Sequence, residues 1–181
     1  MAPRSAYHHG DLPNALREAA WAHLRTGGLK GFSLRAVARA VSVDVAAVYR
    51  HYRDRAALLQ AVVDEARRAV DRRIDALPPT EGEDALRALV HELVRLAHEE
   101  PGGHELLVWS TGGAWPAPWL RPKVTELRRI GRCELPEDRA TRVLAVATAG
   151  LAAHPEVTPA TVDDILDAVL GGLYWARFPA R

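Results

Sequence analysis

The chain has 181 residues, 48% of them hydrophobic and 26% charged, and a formal net charge of +1. That length supports one domain or two small ones with a sizeable core, and the composition excludes an intrinsically disordered chain. The lone cysteine, Cys133, excludes a disulfide framework and any cysteine-based zinc module.

No apolar stretch opens the sequence, and the longest near-apolar run, residues 143–153, is too short to span a bilayer. A cytoplasmic protein with no membrane partner is expected. Charge is unevenly distributed. Residues 1–60 hold nine Lys/Arg against four Asp/Glu, a formal +5, while the remainder carries −4. This pattern reads either as a polyanion-facing module on an acidic body or as local scatter.

No strand-length alternation and no Asn-Gly or Asp-Gly hairpin is found, so the chain reads as all-α. A first helix is predicted over 12–26, with Leu12, Leu16, Ala19, Ala20 and Leu24 on one face and Gly27-Gly28 as its stop. Ser33 caps the next, and Phe32 staples onto Val37 ahead of a stripe of Leu34, Val37, Ala38 and Val41. Asp44 caps a short third helix over 45–51, with Val43 stapled to Val48. Asp54 caps a long fourth helix that ends at Pro78-Pro79. Two short helices joined by a tight turn, behind a longer one, make a helix-turn-helix, whose second helix can enter a major groove.

The stretch Gly31-Phe32-Ser33-Leu34-Arg35-Ala36-Val37-Ala38-Arg39-Ala40 carries a family likeness. It continues through Val43-Asp44-Val45-Ala46-Ala47-Val48 and the run Tyr49-Arg50-His51-Tyr52 to Arg53-Asp54-Arg55. Residues 7–65 resemble the DNA-binding domain of TetR-family transcriptional regulators, and Tyr7-His8-His9-Gly10-Asp11-Leu12 is similar to one branch of that family. The resemblance implies phosphate contacts from Tyr49, His51 and Arg55, the last standing where the family usually has Lys. It also implies backbone and groove contacts from Ser33 and Arg35, and a packing role for Tyr52. Val45 and Ala46 offer methyl groups to thymine but no bidentate donor, or are simply packed, which leaves sequence reading to Arg35, Arg39, Arg50 and DNA shape. Ser42 occupies a turn position where glycine is common, so an unusual backbone geometry is expected there. Arg4 reads as a minor-groove arm or as a disordered terminus.

Domains are expected at 1–60 and 61–181, the first a three-helix helix-turn-helix unit, the second a helical ligand-binding and dimerisation body. Helices are predicted in the second over 83–99, 104–110, 118–133, 137–153 and 158–178. The resemblance implies that the last two form a four-helix bundle with a second copy, through Val143, Ala147, Gly150, Leu151, Val162, Leu166, Val169, Leu170 and Leu173. Burial of those stripes within one subunit is the alternative. It further implies an effector pocket among the middle helices, assigned to Leu93, Leu96, His104, Leu107, Trp109, Ser110 and Trp119. The tryptophans Trp109, Trp115 and Trp119 read equally as core material.

No phosphate loop, dinucleotide fingerprint or nucleophile–base motif is present, and the spacing of His91, His98 and His104 does not make a metal site. Neither a cofactor nor catalysis is expected. The expectation is a homodimeric regulator, a repressor on a palindromic double-stranded operator, released by a small apolar or planar effector. The alternatives are a helical interaction protein without sequence-specific DNA binding and a helical metal-dependent enzyme.

Overall fold

Side-chain caps mark where the helices begin. In the computed structural model, which describes residues 11–175 (to 173 for side chains), Asp11 Oδ1 accepts the Asn14 N–H at 3.3 Å and starts α1, Leu12–Gly31. Gly28 lies inside that span with φ 60° and ψ −175°, so the regular helix stops there and a short turn follows. Ser33 Oγ accepts from Ala36 N at 3.4 Å to open α2, Leu34–Ala40. Asp44 Oδ1 accepts from Ala46 N at 2.7 Å to open α3, Val45–His51. Asp54 Oδ1 accepts from Ala57 N at 2.7 Å ahead of α4, Arg55–Asp75. Each cap satisfies an N–H that the first turn leaves without a helical partner.

The chain forms two compact units divided after Ala66, within α4, whereas the sequence placed the boundary at 60. The first unit closes around Leu16, Leu24, Phe32, Val37, Val48 and Leu59, all buried. Tyr52 is also buried and ties the end of α3 to the start of α1, its hydroxyl donating to Pro13 O at 3.0 Å.

In the second unit α5, Gly82–Glu99, packs against α6, Pro101–Ser110, α7, Ala117–Arg129, α8, Glu137–Ala153, and α9, Pro159–Trp175. Its buried stripe of Ala85, Leu86, Leu89, Val90, Leu93 and Val94 explains that position, because such a helix must be covered on a wide face. The helix α6 begins at Pro101, earlier than predicted, since proline suits a first turn that needs no N–H. The helix α7 ends at Arg129 rather than 133: Gly131 adopts φ 72° and Arg132 N donates to Leu127 O at 2.8 Å, closing the helix end. The predicted extension of the last helix over 176–178 lies outside the described residues.

Candidate functional site

The turn between α2 and α3 is tight. Val43 N donates to Ala38 O at 3.0 Å and Ser42 N to Arg39 O at 3.1 Å, while Ser42 takes φ 59°, the left-handed geometry expected at that position. The residues of α3 sort by face. Ala47 and Val48 are buried against the unit's core, whereas Ala46, Tyr49, Arg50 and His51 are exposed, Tyr49 by 52%. Val45 is half-buried. Arg35 and Arg39 project exposed from α2, and Ser33 is occupied as its cap.

Arg55 is exposed yet held. Its Nη2 donates to Leu29 O at 2.8 Å, and the guanidinium lies 5.3 Å from the centre of the Phe32 ring. The cation is thus fixed against the α1–α2 connection, a role the sequence did not reveal. Arg4 and Tyr7–Gly10 lie outside the described residues.

The side chains assigned to dimerisation divide into two groups. Leu151, Val162, Leu166, Leu170 and Leu173 are buried within this single chain, Leu166 to 1% exposure, because α5 and α8 cover that face of α9. They are core residues of the subunit rather than surface. Val143 and Gly150 are exposed, and Ala147 and Val169 half-buried. Val146, which the sequence reading passed over, is exposed by 74% beside Val143 and Gly150 at helical spacing.

The predicted effector residues differ in their surroundings. Leu93 and Leu107 are packed in the core, Leu96 is half-buried, and Ser110 Oγ donates back to Leu107 O at 2.9 Å. Trp109 is 47% exposed, and Trp119 Nε1 donates to Asp71 Oδ1 at 2.8 Å. Trp115 is the buried member, 3% exposed, with its ring 4.3 Å from that of His104 in an edge-on contact. Burial, with the His98 imidazole nearby, holds the His104 pKa below its ordinary 6.5.

A groove of about 570 Å³ lies elsewhere in this unit, walled by Leu77, Ala88, Val94, Val157, Pro159 and Val162. None of the seven residues assigned to the effector lines it. The sequence could not show it, because its walls come from segments brought together only by folding. Among the described residues no group of His, Cys, Asp and Glu is placed to hold a metal ion, and no helix is long and apolar enough to cross a membrane.

Residues 16–62 match the family model described as bacterial regulatory proteins, tetR family. No curated protein matches the chain. Among solved structures, a protein from Rhodococcus sp. RHA1 is 24% identical with a TM-score of 0.75, over 94% of this chain and 100% of its own. A TetR family transcription regulator from Marinobacter aquaeolei VT8 is 19% identical with a TM-score of 0.70, over 89% and 94%. RolR in complex with resorcinol is 19% identical with a TM-score of 0.63, over 89% and 86%. At these identities the likeness to the solved structures is one of fold. Residues 16–62 thus carry a helix-turn-helix of the tetR-family pattern, set within a chain whose all-α architecture is that of these solved structures.

Proposed function

We propose that this protein is a repressor that binds a palindromic operator as a homodimer and leaves it when a small apolar or planar effector binds. The observation that carries the DNA-binding part is the exposed face of α3, where Ala46, Tyr49, Arg50 and His51 stand clear while Ala47 and Val48 anchor the helix. A side chain that reads or grips DNA must be free to leave water, and its helix must be held by residues that are not. Arg35 and Arg39 on α2 and Arg55 at the start of α4 add positive charge on either side in the chain.

Homodimerisation is supported by the exposed stripe of Val143, Val146 and Gly150 on α8, since an apolar row at helical spacing calls for a cover. Two linked copies match a two-fold symmetric operator. Ligand release is supported by the fold shared with RolR, which was solved in complex with resorcinol. DNA and effector then oppose one another because each favours a different arrangement of the two copies.

Selection of bound fragments from a genomic pool, followed by anisotropy titrations over a salt series, tests this reading. The expected result is a palindromic site with affinity falling steeply with salt. Equal affinity for all sequences would leave only a non-specific binder, and no binding would favour the interaction protein.

A further inference from the structure

The connection from α1 to α2 is tied down on both sides of a residue that is itself left untied. Leu29 O accepts from Phe32 N at 3.3 Å and from Arg55 Nη2 at 2.8 Å. His23 Nε2 lies 3.1 Å from Gly31 O, a carbonyl that only accepts, so the ring nitrogen donates. The Phe32 ring is buried and meets the same two partners, its centre 5.3 Å from the Arg55 guanidinium and 5.9 Å from the His23 ring. Lys30 stands between these anchors in the chain. It is exposed and makes no hydrogen bond or ion pair among the described residues.

The ordinary duties of a lysine do not account for this one. A cation at a helix C-terminus offsets the exposed carbonyls, but the regular helix has already ended at Gly28, with φ 60° and ψ −175°. No carboxylate pairs with Lys30 among the described residues, and its neighbour is a second cation, since Arg55 is anchored on the carbonyl of the preceding residue. Two such charges repel, with screening over about 10 Å at about 0.1 M salt, and an anion shared between them removes the conflict. A loop fixed at Leu29, Gly31 and Phe32 also presents its lysine from a held base, so less backbone freedom is lost on binding. Exposed loop lysines are common in any sequence; only the fixing of its neighbours sets Lys30 apart.

We propose that Lys30 is a DNA-positioning residue, gripping a backbone phosphate from the α1–α2 connection beside the one taken by Arg55. The two cations then clamp one strand from a shared support, outside the exposed face of α3. The proposal rests on the DNA-binding reading of that face and adds a contact to it. A phosphate contact holds the protein in register and carries no base preference of its own.

The test titrates the full chain and its variants into a labelled random-sequence duplex, then into a fragment recovered by selection, by anisotropy over a salt series. Lys30→Gln keeps much of the side-chain length and removes the charge. It should weaken binding to both duplexes alike, by about ten- to 100-fold at about 0.1 M salt, and lower the salt slope by about two for a dimer. Lys30→Arg should restore both. Arg129→Gln removes an equally exposed cation from α7 and should leave the slope unchanged, and thermal melts of all three variants should match the unaltered chain. An equal loss in Arg129→Gln would assign the effect to net charge and overturn the proposal. A loss confined to the selected fragment would make Lys30 a reader of bases, and a lowered melt with unchanged DNA affinity would make it structural; either overturns the proposal. Salt-sensitive binding that Lys30→Gln does not alter removes this contact alone, whereas no binding by the unaltered chain removes the DNA-binding reading with it.

Discussion

Ser42 holds a left-handed backbone where a side chain is unwelcome, in the turn that sets α3 against α2. Glycine there would relieve a strain of about 1–2 kcal/mol while losing more entropy on folding, so Ser42→Gly should raise stability by about 0.5–1 kcal/mol, read as a higher urea midpoint. Arg50 and Arg55 separate two duties. Arg50 is exposed and has no partner among the described residues, whereas Arg55 is tied to Leu29 and Phe32. Arg50→Ala should weaken DNA binding and reduce the salt slope by about two for a dimer, leaving the urea midpoint unmoved. Arg55→Ala should do the same and also destabilise the fold by about 0.5–1 kcal/mol, which the same melts would reveal. His104 supplies a pH dependence. Its folded pKa lies below 6.5 through burial, so the unfolded chain takes up a proton where the folded one does not. That stability is complete above 6.5 and is lost as pH falls through that value towards the lowered folded pKa. Urea midpoints at about pH 7.5 and about pH 5.5 should therefore differ less in His104→Gln than in the unaltered chain.

At the level of the elements, local chemistry was legible and coverage was not. Ser33, Asp44 and Asp54 announce their helices because a cap acts within three residues, and all three make the bonds the sequence led us to expect. Gly131 was overlooked as a stop because the apolar spacing of α7 continues past it, although a single glycine suffices to end a helix. The apolar period of α9 revealed that a face is buried, but not what buries it. Leu166 and Leu170 prove to be covered by the subunit itself, so replacing them tests its core and not a contact with a second copy. Leu166→Glu should cost about 3 kcal/mol or more and unfold the subunit. Val146→Glu places its charge on an exposed position of α8, and should yield a folded monomer by sedimentation with an unchanged circular dichroism spectrum. A persistent dimer in Val146→Glu would put the proposed contact elsewhere. The groove was invisible for a related reason: Leu77, Ala88 and Val157 have no sequence pattern in common and meet only in the folded unit.

For the whole molecule, the basic first third on an acidic remainder fits a protein that grips a polyanion with one part and avoids it with the other. On the proposed function, two such parts joined through their second units bind a two-fold site with an effective concentration that a single copy lacks. Monomeric Val146→Glu should therefore bind the operator about 100-fold more weakly while keeping its preference among half-sites, measurable by anisotropy on intact and halved sequences. The family likeness was readable because it sits in contiguous residues around Tyr49-Arg50-His51-Tyr52, whereas the second unit is described by packing that many sequences satisfy.

The leading end of α3 has a consequence for what the protein can distinguish. Ala46 is exposed there and Val45 half-exposed, and the Asp44 carboxylate just before them is occupied by the cap. On the proposed function, those positions meet the base edge with methyl groups and recognise the thymine methyl by contact alone. Replacing such a thymine by uracil should weaken binding by a few-fold, about the worth of one buried methyl. The same methyl is presented by 5-methylcytosine, so a methylated C·G pair would imitate T·A at these positions. Repression by this chain would then depend on the modification state of its operator, and a methyltransferase acting on that site would change expression without any change in effector.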